Sequence, residues 1–247
     1  MNDYRIALVT GATSGIGRAV AVALAGRGLE VHAVARRGDM LAELEKDTGC
    51  RPHAVDVSDT KVLEAMCDGL EVDVLVNAAG MAVGYLKAHE QGDIDDFDVM
   101  VDVNVTAYLR LLRLVVPGMV ERDRGHIVNL GSMWGLYPVG GATTYATVKG
   151  AIHQLSQCLR VDLLGQRVRV TEICPGRVVT GFHASALGDA EAARKTFYEG
   201  NESLRPEDVT EAILFALEVP PHVNISMIEM APQMQAPSGV TFAKPLK

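Results

Sequence analysis

The stretch that decides the fold is RIALVTGATSGIGRAVAVALAG, residues 5–26. It opens on RIALVT (5–10), a β-branched and apolar run that reads as a strand. Glycines 11, 15 and 17 follow, and the apolar spacing beyond them predicts a helix over 15–27. Glycines between a strand and a helix let the backbone bend sharply and approach a bound group. The free N–H groups of the first helical turn then favour an anion such as a pyrophosphate. Any tight strand–helix turn wants glycine, so the turn alone decides little. Its place after the first strand of an alternating chain gives it weight. Gly11, Thr13, Ser14, Gly15, Ile16 and Gly17 are the expected phosphate cradle.

The alternation continues. EVHAVA (30–35), VDVLVN (72–77), GHIVNL (125–130), VRVTEIC (168–174) and NISMIEM (224–230) read as strands, with a weaker one at PHAVDV (52–57). Several are apolar almost throughout, as strands covered on both faces must be. Helical spacing falls at 39–47, 58–69, about 94–121, 143–164 and 206–218. Pro206 followed by Glu207 and Asp208 is a sound helix start. The expected fold is α/β: a single Rossmann-type doubly wound parallel sheet of about seven strands, with helices on both faces. One domain over 1–247 is expected, with 177–205, which has no clear period, as a surface excursion or substrate lid.

Composition narrows the function. The chain has 247 residues, 48% hydrophobic and 22% charged, an ordinary globular balance. A net charge of −8 argues against a general affinity for nucleic acid or anionic membrane. No apolar run reaches the roughly 18 residues of a membrane span. The N-terminal residues run straight into a strand without a signal-peptide pattern, so a cytoplasmic location is expected. Cysteines 50, 67, 158 and 174 form no CxxC pair, and the seven histidines show no HxxxH spacing, so no metal is expected.

At the end of the second strand, where an adenosine ribose would lie, stand Arg36 and Arg37. A carboxylate there would accept the ribose 2′-hydroxyl and repel a 2′-phosphate. Guanidinium groups do the reverse, which favours NADP(H) over NAD(H). The plainer reading is two solvated arginines at a helix start, where the dipole does not favour them.

TTYATVKGA (143–151) sets Tyr145 and Lys149 one helical turn apart on one face, beside a core stripe of Val148, Ile152, Leu155 and Leu159. Alone, this could be an ordinary exposed pair. A tyrosine of pKa about 10 is a poor proton shuttle at neutral pH, and a nearby ammonium favours its phenolate. Ser132 follows the strand GHIVNL, at the edge where open α/β sheets build their sites. A serine in such a place also serves simply as a helix cap.

Beside the glycine loop stand DV (56–57), NAAG (77–80), Asn104, GS (131–132), YATVK (145–149) and PG (175–176). In this order and spacing they closely resemble the short-chain dehydrogenase/reductase family. The resemblance implies that Tyr145 donates or accepts the proton and that Ser132 holds the substrate oxygen. Lys149 would lower the tyrosine pKa and bind the nicotinamide ribose, while Asn104 would hold a water linking Lys149 to solvent. Asp56 and Val57 would flank the adenine. Asn77, Ala78, Ala79 and Gly80 would form the cofactor wall, and Pro175, Gly176, Val178 and Thr180 would line the nicotinamide. The family commonly has two asparagines before Ala-Gly, whereas here Ala78 follows Asn77. Family members assemble through the helix carrying Tyr145 and the long helix before it. YLRLLRLVV (108–116) is wider than one core stripe needs, so a homotetramer, or at least a homodimer, is expected.

PGMVERDRGHIVNLGS, RPEDVTEAI and HVNISMIEMAPQMQ are most similar to the family's NADP-dependent 3-hydroxy acid and serine dehydrogenase branch, which implies a small hydroxy or carbonyl substrate. Arg177, directly after the Pro-Gly, is the candidate anchor for a substrate carboxylate, with solvent exposure or pairing to a lid acid as the alternative. Trp134 reads equally as a pocket wall or as packing. Alternatives within enzymes are a 3-oxoacyl carrier-protein reductase and a carbonyl reductase for neutral ketones. From another class stands a non-catalytic NADP-binding sensor.

Overall fold

The computed structural model describes all residues except 1–2, 86, 88, 91–92, 94, 238–240 and 244–247. Its strands are β1 (Ile6–Thr10), β2 (Glu30–Ala35), β3 (Arg51–Ala54), β4 (Val74–Asn77), β5 (Gly125–Leu130), β6 (Val168–Pro175) and β7 (Met227–Met230). They form one sheet in the order β3-β2-β1-β4-β5-β6-β7 with every pairing parallel. The order reverses between β1 and β4, so connections leave to opposite sides there and their ends open a crevice.

Parallel strands need long crossovers, and the helices supply them on both faces. Side-chain alternation along β1 shows the division: Ala7 and Val9 face one core, Leu8 the other. The first core joins α1 (Gly15–Ala25), α2 (Gly38–Thr48) and α10 (Pro206–Glu218) through Leu24, Leu44, Ile213 and Leu217. The second joins α3 (Thr60–Cys67), α5 (Ala107–Glu121) and α7 (Thr143–Asp162) through Leu63, Leu111, Val115 and Leu155. Each fully buried side chain of this size contributes about 1.5–3 kcal/mol, so both layers are strongly held to the sheet.

Besides shifted bounds at β3 and β4, several elements differ from the sequence expectation. The helix expected over about 94–121 is α4 (Asp95–Val101) and α5 joined by a π-helical turn, Asp102–Thr106; residue 94 lies outside the described residues. Within the turn, Asn104 Nδ2 donates to the Met100 carbonyl at 2.9 Å and to the Met81 carbonyl at 2.8 Å, tying the widened helix to the β4 loop. The last strand begins at Met227 rather than 224. Asn224 pairs with Val170 through its side-chain amide, which accepts from Val170 N at 2.9 Å and donates to Val170 O at 3.1 Å. Residues 177–205, read as an excursion without period, hold α8 (Phe182–Leu187), α9 (Ala190–Ala193) and a π-helical turn (Arg194–Tyr198). A parallel bridge between Val178 and Leu204 closes the base of that excursion. α6 (Met133–Leu136) is a single turn after β5.

Candidate active site

A cavity of about 530 Å³ lies at the crevice, walled by the ends of β1, β2, β4, β5 and β6. The glycine turn forms one side. Gly11 and Gly15 have φ of +68° and +51°, a conformation that side chains strain. A Cβ on Gly17 would overlap the Gly11 carbonyl and lie 3.0 Å from the Thr10 oxygen, so α1 can seat this close to β1 only with glycine there. α1 therefore directs its first N–H groups into the cavity, and Ser14, its N-cap, offers them no side-chain oxygen. Gly11, Thr13, Ser14, Gly15, Ile16 and Gly17 all line the wall.

Arg36 and Arg37 stand on the wall at the end of β2, and Arg37 Nη2 donates to Thr13 Oγ1 at 3.1 Å. Asp56 and Val57 lie beside them. Asp56 accepts from Ser58 N at 2.9 Å and Ser58 Oγ at 2.7 Å. Its burial would raise the pKa, but the Ser58 bonds and the Arg36 charge outweigh it and keep the group ionised. Ala78, Ala79 and Gly80 continue the wall, and Pro175, Gly176, Val178 and Thr180 close its far side.

Two predicted residues are not on that wall. Asn77 points into the sheet, where its Nδ2 donates to Asn129 Oδ1 at 2.9 Å in the β4–β5 register. Of this motif only Ala78, Ala79 and Gly80, beyond the end of β4, face the cavity. Asn104, fully buried, spends its amide on Met81 and Met100, so its side chain clamps the loop after β4. It remains near Lys149: a Cβ on Gly80 would lie 3.0 Å from Asn104 Oδ1 and 3.6 Å from Lys149 Nζ.

Ser132, Tyr145 and Lys149 converge on the cavity. Ser132 is the N-cap of α6, accepting from Trp134 N at 3.1 Å, and it also hydrogen-bonds Tyr145. The cap therefore sits beside the tyrosine, on the cavity wall. Lys149 Nζ is buried, donates to the Leu130 carbonyl at 2.7 Å and lies 5.8 Å from the Tyr145 ring centre. Burial lowers Lys149 to about 8, against the pull of Cys174 and Glu172. The phenol was expected to be lowered by this ammonium. Its environment instead raises it, because burial among rings outweighs the Ser132 hydrogen bond. Tyr145 keeps some surface toward the cavity, although protein surrounds its ring closely.

An aromatic shell surrounds the hydroxyl pair. Trp134 packs edge-on to both Tyr145 and Tyr85, with centroids 5.9 and 5.7 Å apart. Phe182 and His183 from α8 reach the same space, so Trp134 is wall and packing at once. Arg177 is buried on the wall, with its guanidinium 4.3 Å from the Phe242 ring centre and 5.4 Å from that of Phe197. Its Nη1 donates to the Phe197 carbonyl at 2.9 Å. Among the described residues no carboxylate pairs with it, so the expected alternative of a lid acid is not what holds it.

The family model described as short chain dehydrogenase matches residues 5–190. The chain belongs to that family. Among its relatives, an uncharacterized short-chain type dehydrogenase/reductase, y4eK of Sinorhizobium fredii, is 40% identical over 244 residues, covering 99% of this chain and 98% of the relative. The NADP-dependent 3-hydroxy acid dehydrogenase YdfG of Escherichia coli K12 is 39% identical over 245 residues, covering 95% of this chain and 98% of its own. A solved serine dehydrogenase, in a closed form complexed with NADP+, superposes with a TM-score of 0.91 at 37% identity, covering 97% of this chain and all of that one.

Within this short-chain dehydrogenase the sequence reading missed Tyr85, Phe182, His183, Phe197 and Gln235. They come from segments far apart, and no local pattern marks them. Gln235 Oε1 accepts from Arg177 N at 2.8 Å and lines the wall, which gives the segment after β7 a place beside the pocket. Among the described residues no group of three or more His, Cys, Asp or Glu converges to hold a metal, and no helix is long and apolar enough to cross a membrane.

Proposed function

We propose that this short-chain dehydrogenase is an NADP-dependent oxidoreductase acting on the alcohol or carbonyl carbon of a small hydroxy acid. One observation carries the reading. In a chain of net charge −8, the cavity presents, among the described residues, Arg36, Arg37, Lys149 and Arg177 against Asp56 alone. The cations sit at both ends, as a ligand anionic at both ends would require. At one end the glycine cradle and the two exposed arginines fit a pyrophosphate and a 2′-phosphate. The relatives named for NADP support the same choice.

When bound, the nicotinamide supplies or accepts the hydride. Ser132 holds the substrate oxygen by hydrogen bonding. In oxidation, the hydroxyl proton passes to Tyr145 Oη as the carbinol C–H bond breaks; in reduction, Tyr145 returns it to the carbonyl oxygen. Lys149 favours the phenolate by its charge, opposing the burial that raises the phenol. The excursion over 177–205 acts as the lid, bringing Phe182 and His183 over the reacting carbon. Arg177 anchors the substrate carboxylate, since a partly desolvated guanidinium pairs strongly with one. The chains assemble as a homotetramer, or at least a homodimer, through α5 and α7.

The aromatic shell also suits a neutral ketone, and a substrate panel separates the two readings. Hydroxy acids and neutral alcohols of matched size are assayed with NADP+ on the wild type and on Arg177→Met, which keeps an unbranched stem and removes the guanidinium. KM for hydroxy acids should rise about tenfold or more, with smaller change in kcat, and neutral alcohols should be unaffected. Preference of the wild type for bulky neutral ketones, or equal effects on both classes, would overturn the hydroxy-acid reading.

A further inference from the structure

On α7, Lys149 and His153 lie one turn apart and share a face. On β6, Glu172 and Cys174 lie two residues apart and share the face turned toward that helix. The two rows meet. His153 Nδ1 is 2.8 Å from Glu172 Oε2, and Lys149 Nζ donates to the carbonyl of Leu130, the residue before Gly131, at 2.7 Å. Both strand side chains pass beneath Gly131, where a Cβ would overlap Glu172 Oε1 and stand 2.9 Å from Cys174 Sγ. Glycine at 131 thus makes room for the row directly under Ser132.

Glu172 is fully buried, and among the described residues its Oε1 has no hydrogen-bond partner. A buried carboxylate with one oxygen unbonded is costly, and an apolar pair would join helix to strand more stably. None of the catalytic steps above employs it. Lys149, however, is an ammonium in a setting that disfavours its charge, so a fixed anion close by matters to it.

The other titratable groups around this row do not supply that anion. Cys174 could act only as a thiolate, and burial together with Glu172 holds it as a thiol. Tyr108, whose ring centre is 5.9 Å from Lys149 Nζ, and Tyr145 are both held neutral by burial. Glu229 of β7 lies opposite Cys174 in register and shares its face, but it is exposed at the sheet edge and accepts from Tyr137 Oη at 2.9 Å. His153 carries either a positive charge or none.

We propose that Glu172, steadied by His153, is a positioning residue for Lys149: its buried carboxylate keeps the ammonium charged beside Tyr145. The consequence for turnover rests on the Ser132–Tyr145–Lys149 reading, but the electrostatic claim does not. The test is therefore an NMR titration of lysine side chains in the full-length protein labelled at the lysine Cε, with the Lys149 signal assigned by its loss in Lys149→Met. In Glu172→Gln the Lys149 titration should move down by about one pH unit or more. Glu172→Asp, which retains the charge, should restore most of that shift. In carbonyl reduction the alkaline limb of kcat/KM should move to lower pH in the Gln variant. A folded Glu172→Gln with unchanged Lys149 titration, or an Asp variant shifted as far as Gln, would overturn the proposal. Should Glu172→Gln fail to fold, His153→Leu decides: it removes the hydrogen bond that steadies the carboxylate, Lys149 should shift down, and an unshifted titration overturns the claim. The titration needs no substrate, so an inactive wild type would refute the functional reading and leave this one standing.

Discussion

His183 shows how the pocket sets the charge of a single residue. Its ring stacks on Phe197 with centroids 3.9 Å apart, and its Nδ1 lies 2.7 Å from Tyr85 Oη. Burial, helped by the Arg177 charge, holds its pKa down at about 4 instead of 6.5. The unfolded chain therefore binds this proton below about 6.5, whereas the folded chain resists it until about 4. The sign follows: stability is intact above 6.5 and is lost as pH falls toward 4. Urea unfolding should show this decline, and His183→Phe, which preserves the stack, should flatten it by about 1–2 kcal/mol. An identical slope in the variant would contradict the assignment. At working pH His183 is thus neutral, leaving Arg177 as the cation of that wall. Tyr145, Lys149 and Ser132 were legible in the sequence because one helical turn and one strand end fix their relation. Asn77 and Asn104 were not, since a motif does not show which way an amide turns. Glu172 and His153 were illegible for a different reason: helix–strand docking pairs them across nineteen positions.

At the scale of elements, the apolar runs that predicted strands were faithful wherever backbone bonding followed them. β2 and β5 lie at their expected bounds. β3 and β4 are shorter than expected, and two further exceptions arise where a side chain takes over a backbone bond. Asn224 replaces the start of β7, and Asn104 widens one turn between α4 and α5. The surfaces of α4, α5 and α7 leave Val99, Val101, Leu109 and Val161 more than two-fifths exposed. Exposed apolar side chains on these neighbouring helices fit pairing across a two-fold axis, where the same patch meets itself. Light scattering at micromolar concentration should give a particle of four chains, or two at the least. The mass of a single chain would contradict the pairing.

The molecule as a whole carries an excess of acid, yet it concentrates cations in the one crevice that its strand order opens. That field draws anionic ligands inward against the general charge. The doubly wound sheet brings α1, the end of β5 and α7 to that crevice, so cradle, serine and tyrosine meet although more than a hundred residues separate the first from the last. The account stands or falls on whether Tyr145 handles the proton there. The most direct measurement compares wild type and Tyr145→Phe, following NADPH consumption with a small carbonyl acid alongside NADPH binding by fluorescence titration. Binding should be nearly unchanged, because ring and fold remain, while turnover falls by about a hundredfold or more. A variant that binds NADPH and keeps more than roughly a tenth of wild-type turnover would contradict the account.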